Sequence, residues 1–292
     1  MRRRGGPGRR GDGRIHPGCP AASEQYERKP AIVFPSSDEH TAIGGPMACD
    51  HRPLPRRTRF LTASAAVLAA GSLSLAPAEA SAAARPRGHD VSSHQGSVGW
   101  PTARANGARF TYVKATEATS YTNSYFTRQF NGARSAGMLH GAYHFALPDR
   151  SSGKSQAAYF VRHGGRWRAD GWTLPPALDI ERDPYSTRTC YGLSRSGMVS
   201  WIRSFSDEVN RRTGRRPVIY TSTRWWNTCT GGSRAFAAQH PLWVARYAAS
   251  AGALPAGWAY WTFWQYADGG SLPGDQDLFN GSMTQLRRLA RG

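Results

Sequence analysis

The chain has 292 residues and carries 38 Lys and Arg against 19 Asp and Glu, a formal charge of +19 at neutral pH. Such an excess favours polyanions: nucleic acid, anionic lipid or an anionic cell wall. The basic residues are scattered, and the absence of a helix-turn-helix, zinc-finger or RNA-binding signature excludes specific nucleic-acid recognition as the first reading.

Residues 1–46 are rich in Gly, Pro and Arg without apolar periodicity and read as an upstream or disordered segment. Residues 47–84 read as a secretory signal region. Arg56, Arg57 and Arg59 form a basic flank, residues 60–75 an apolar stretch, and 78–80 or 80–82 a small-residue cleavage site. That stretch is too short and too rich in Gly and Ser for a stable membrane span after processing. The expected mature chain, 85–292, is a single domain of 26 basic and 12 acidic residues, secreted and extracellular. Cys190 and Cys229 remain in it and are expected to form a disulfide, which suits an exported protein.

Strand and helix patterns then alternate. Residues 88–91 read as a strand, 100–106 as a short helix and 110–115 as a strand. A helix over 125–136 brings Tyr125, Phe126, Phe130 and Ala133 to one face. Residues 139–145 form a strand, 154–163 a helix and 174–180 a strand. Residues 194–213 form the longest helix, capped by Ser194 and stopped by Gly214. Strands at 217–220, 242–245, 261–265 and 275–279 follow, with only short polar or aromatic segments between several of them, and a helix at 282–290 ends the chain. Trp225 and Trp226 read as loop packing. The fold class is α/β: a modified TIM-like barrel of about eight strands with incomplete helices in the second half.

The chemistry concentrates where an apolar run, LPPALDIE over 174–181, ends in two acids. In a strand, Asp179 and Glu181 project the same way and Ile180 the other. Paired carboxylates at a strand end are what glycosidic cleavage requires: an acid for the leaving oxygen and a group that stabilises the cationic transition state. Asp90 and Asp275, each readable alone as a turn acid, fall at or just beyond the carboxyl ends of the first and last strands, which become neighbours if a barrel closes. His140 and His144 lie four apart on a strand and outside any HExxH arrangement, so no metal is expected. No phosphate loop or GxSxG elbow is visible, and no cofactor is expected.

Seven segments in order, 88–96 (GHDVSSHQG), 112–117 (YVKATE), 141–145 (GAYHF), 178–181 (LDIE), 217–221 (PVIYT), 264–266 (WQY) and 275–281 (DQDLFNG), resemble the strand motifs of glycoside hydrolase family 25, the Chalaropsis-type lysozymes. The resemblance covers nearly all of 85–292. It implies a lysozyme that cleaves the β-1,4 bond between N-acetylmuramic acid and N-acetylglucosamine in bacterial peptidoglycan. It further implies Glu181 as general acid/base and Asp179 as stabiliser of the ring cation or of an oxazolinium formed by the substrate's 2-acetamido group. Asp90 would be an acid on the floor of the site and Asp275 a late acid after the last strand. Asp277 stands where many members carry Asn; of the two late acids, Asp275 is assigned to the cleft. Tyr143, Tyr220, Trp264, Tyr266, Lys114 and Glu117 are the expected substrate-binding residues, the first four through ring stacking on sugars.

A monomer acting on peptidoglycan, with anionic wall polymers as further partners, is the resulting expectation. A non-catalytic basic wall-binding protein, a chitinase-like glycosidase and an extracellular nucleic-acid binder are the rivals.

Overall fold

The computed structural model describes residues 84–292. The segments read as an upstream or disordered stretch and an export signal, 1–46 and 47–84, lie outside the described residues save for Ala84.

Nine strands and six α-helices follow in chain order: β1 (Arg87–Val91), α1 (Trp100–Ala105), β2 (Ala108–Glu117), β3 (Tyr121–Thr122), α2 (Phe126–Ser135), β4 (Leu139–Phe145), α3 (Gly153–Arg162), β5 (Ala177–Asp179), α4 (Arg195–Thr213), β6 (Val218–Thr221), α5 (Thr223–Thr230), β7 (Leu242–Ala245), β8 (Phe263–Ala267), β9 (Asp275–Phe279) and α6 (Met283–Arg291). The sheet runs β1-β9-β8-β7-β6-β5-β4-β2 and closes through β1 against β2, so eight strands make a barrel. β3 is a short antiparallel addition to β2 outside the ring. Seven barrel strands, β1, β2 and β4 to β8, run parallel to one another. β9 runs antiparallel to both β1 and β8.

Crossover helices cover the first strands, and the chain passes from β7 to β8 and from β8 to β9 without one. This is the incomplete second half expected from the sequence, with one correction. Residues 223–230 are helical: Ser222 accepts from the Trp225 amide as N-cap, Gly231 ends the helix in the left-handed region, and Trp225 and Trp226 are buried on it rather than in a loop.

Side-chain alternation divides each strand between two cores. Outward residues such as Ala142, Leu178, Ile219 and Val244 pack against the helices. There α4 presents Met198, Trp201, Ile202, Phe205 and Val209, a stripe at helical spacing, while the Ser194 cap and left-handed Gly214 fix its ends as the sequence suggested. Inward residues Phe110, Tyr112, Leu139, Tyr143, Val218, Tyr220, Trp243, Phe263 and Phe279 fill the barrel, and Leu286 and Ala290 of α6 close its lower end. The Tyr112 ring lies where a Cβ on Gly141 would stand, 2.3 Å from its nearest carbon, so the neighbouring strand must carry glycine there. Cys190 and Cys229 form the expected disulfide, Cα atoms 5.3 Å apart, tying the loop after β5 to α5.

Candidate active site

The parallel strands end at one mouth of the barrel, the usual position for functional groups in this architecture. β5 ends at Asp179, and the Ile180 amide still donates to the Tyr220 carbonyl at 3.0 Å, carrying the ladder one residue further. Leu178 and Ile180 are buried in the outer core, so the alternate residues Asp179 and Glu181 turn to the mouth. Asp179 is buried and Glu181 half-buried. A depression at the mouth is lined by Asp90, Tyr143, Asp179, Tyr220, Trp243 and Gln265.

The four acids named from the sequence act on one tyrosine. Burial first, and then the negative field of Asp90, Asp179, Asp275 and Glu181, push the Tyr143 hydroxyl well above its ordinary pKa. Tyr220 is raised in the same way, with Glu181 the strongest of its charged neighbours. Both rings therefore remain neutral phenols able to donate a hydrogen bond.

Asp275 reaches the mouth by a different route from that expected. It opens β9 instead of following the last strand, and because β9 is antiparallel its amino end meets the carboxyl ends of the others. Asp275 stands opposite Asp90 in the β1–β9 register. Gly274, at φ +75°, precedes it, and a Cβ there would stand 2.0 Å from the Asp90 carbonyl oxygen, so a side chain at 274 would push the two strands apart. Asp277 also faces inward, one layer lower, where its Oδ1 accepts from Trp243 Nε1 at 2.8 Å.

Gln265 joins these parts. Its Oε1 accepts from the Tyr220 hydroxyl at 2.8 Å and the Tyr247 hydroxyl at 3.1 Å. Its Nε2 donates to Asp90 at 2.7 Å and to Asp275 at 3.1 Å. An amide alone among neutral side chains offers two acceptor sites and two donors in one plane, so this residue type orders two phenols and two carboxylates at once. Sequence reading missed Gln265 as a site residue, although its two-residue spacing from Phe263 placed it inward. Tyr247, beyond β7, carried no such signal.

Other expected residues fall elsewhere. Trp264 lies on the opposite face of β8 from Phe263 and Gln265; its indole donates to the Arg246 carbonyl at 2.8 Å within the outer core, and Tyr266 packs against it. These two rings are not brought to the depression, because strand parity turns them outward. Lys114 and Glu117 pair with each other at 2.6 Å, and Glu117 also accepts from Tyr185 at 2.6 Å. Lys114 lies over the Phe145 and Tyr121 rings, so this cluster is bound into the rim. His144 bridges Thr116 and Gln156, and His140 packs edge-on to Phe130, both on the helix side of β4. Among the described residues, no group of three His, Cys, Asp or Glu side chains is placed to hold a metal ion.

A closed α/β barrel with inward carboxylates and aromatic rings at the mouth of its parallel strands is the plan of a glycoside hydrolase. The profile of Glycosyl hydrolases family 25 matches residues 89–275, and the chain belongs to that family. An N,O-diacetylmuramidase from Chalaropsis sp is 47% identical over 210 residues, covering 70% of this chain and 99% of that relative. Lysozyme M1 of Streptomyces globisporus is 46% identical over 209 residues, covering 70% of this chain and 71% of that one. Among solved structures, the muramidase from Acremonium alcalophilum is 52% identical with a TM-score of 0.70, covering 71% of this chain and 100% of that chain. The chain is thus an enzyme, a glycoside hydrolase of the lysozyme type.

Proposed function

We propose that this chain hydrolyses the β-1,4 bond between N-acetylmuramic acid and N-acetylglucosamine of bacterial peptidoglycan, with Glu181 as general acid/base and Asp179 stabilising the cationic or oxazolinium intermediate. The observation that carries the reading is the depression at the barrel mouth, where Asp90 and Asp179 meet Tyr143 and Tyr220 and Gln265 ties Asp275 to Asp90. The relatives named muramidase and lysozyme support the choice of bond.

The two acids of the LDIE segment differ in surroundings. Glu181 is half-buried just past the strand, where it reaches an incoming glycosidic oxygen and exchanges protons with water. Asp179 is buried on the strand itself, a fixed negative group beneath the anomeric carbon. Tyr143, held as a phenol, supplies a directional donor beside them, Tyr220 gives its proton to Gln265, and Trp243, edge-on to both rings, backs them. Lys114 and Glu117, as an ion pair, shape the rim. The positive surface favours approach to anionic wall polymers, and the signal-like segment 47–84 supports secretion of a monomeric enzyme into that setting.

Digestion of purified peptidoglycan, with mass analysis of the fragments, tests the reading. New reducing ends on N-acetylmuramic acid are expected. Binding without fragments favours the wall-binding rival, and release of soluble chitin oligomers from chitin, without muropeptides, favours the chitinase-like one.

A further inference from the structure

Asp277 lies in the middle of the barrel, closed off from solvent beneath Asp90 and Asp275. Its Oδ1 accepts from the Trp243 indole. Its Oδ2, equally buried, meets no donor, and the Asp277 and Asp90 carboxyls lie within hydrogen-bonding reach of each other. Two carboxylate oxygens are both acceptors, so that contact is attractive only when one of them carries a proton. Asp90 sits at the mouth and accepts from Gln265. Asp277 is the deeper of the two, where a charge costs most.

The groups facing Asp277 come from four strands. They are Asp90 on β1, Asp275 on its own strand β9, the Trp243 indole on β7, and the Tyr112 phenol on β2, which donates its own proton to the Pro175 carbonyl at 3.0 Å. Burial first, and then the charge on Asp90, push the Asp277 carboxyl well above the usual range, with the Trp243 hydrogen bond working the other way.

We propose that Asp277 is a carboxylic acid kept neutral inside the barrel, donating a hydrogen bond upward to Asp90 and thereby fixing that carboxylate at the mouth. Asp277 is a positioning residue: it acts through Asp90 and does not touch substrate. Only the kinetic consequence rests on the muramidase reading.

Infrared difference spectra of the full chain, aspartate-labelled with carbon-13, test the proton directly. Wild type at pH 7 is expected to show a protonated-carboxyl band that Asp277→Asn lacks. On soluble peptidoglycan fragments, Asp277→Ala is expected to lower kcat by about 10- to 100-fold, the loss of one buried hydrogen bond to a charged group. Asp277→Asn, whose amide can donate to Asp90 and accept from Trp243, is expected to recover most of that loss. The proposal is overturned if wild type shows no such band, if the band survives in Asp277→Asn, or if a folded Asp277→Asn is as slow as Asp277→Ala. Should Asp277→Ala not fold, the spectrum and the kcat of Asp277→Asn still decide. Should wild type release no muramic acid ends, the functional reading fails while the band still reports the proton.

Discussion

The two ends of the barrel interior are built from the same strands and differ in almost everything else. Along β9 the inward residues run Asp275, Asp277, Phe279 from mouth to closed end, and along β8 they run Gln265 to Phe263. Phe263 meets Phe110 and Phe279 at ring separations of 5.2 and 5.4 Å above the plug of Leu286 and Ala290. Two residues away, Gln265 holds carboxylates and phenols. The closed end gains from apolar burial, whereas the mouth carries desolvated polar groups that disfavour folding unless each is paired. Stability and chemistry are thus separated along single strands, and substitutions at the two ends should fail in different assays.

The largest expected effect belongs to the mouth. Glu181→Gln should lower hydrolysis of peptidoglycan by about three orders of magnitude, in line with the loss of a general acid/base, with the unfolding temperature unchanged. Near wild-type turnover by that variant would remove Glu181 from its role. At the closed end, Phe263→Ala should lower unfolding free energy by about 3–5 kcal/mol in denaturant titrations. Its remaining folded fraction should keep wild-type kcat. A collapse of kcat in a folded Phe263→Ala protein would show that the two ends are not separable.

The third effect lies outside the barrel, in the bridge joining Cys190 and Cys229 across 39 residues. Replacing both by Ala should cost about 3 kcal/mol through the freed loop of the unfolded chain, with little change in kcat, as measured by denaturation and lysis in parallel. A large loss of kcat would mean that the loop after Glu181 needs the bridge to hold the mouth.

The comparison also explains what could be read from the chain alone. Asp179 and Glu181 were legible because Leu178 and Ile180 bracket them and strand parity does the rest, and α4 was legible because its cap, stripe and left-handed stop all lie within one segment. Three features were not. The direction of β9 depends on how the barrel closes, so Asp275 was found at the right mouth for the wrong reason. Helix α5 is only eight residues long, and its crowded aromatics hide the helical period. Gln265 has no chemistry of its own and acquires a role only when Tyr220, Tyr247, Asp90 and Asp275 arrive from four other parts of the chain.

The smallest effect, read per ring and per pH unit, separates the core from the mouth by pH. Burial lowers the pKa of His89 and His240 to about 4 and that of His144 to about 3. His144 shows why: its Nε2 donates to Gln156 Oε1, so its Nδ1 must accept from the Thr116 hydroxyl, an arrangement that suits the neutral ring. In the unfolded chain these rings protonate near pH 6.5, so below that value the unfolded state binds more protons than the folded one. Stability is therefore fully present above about 6.5 and falls as pH drops toward 4, each ring contributing at most about 1.4 kcal/mol per pH unit. Glu208, held to about 2 by Arg211 and Arg212, acts in a separate window, its contribution being lost only as pH falls from about 4.5 through 2. Burial lowers His140 in the same direction, while Asp277, protonated in the fold and ionised in the unfolded chain above about pH 4, offsets one proton. Unfolding free energy measured at half-unit steps from pH 7 to 4 should therefore slope by up to about three protons, and a flat profile over that range would show that these rings are not neutral in the fold.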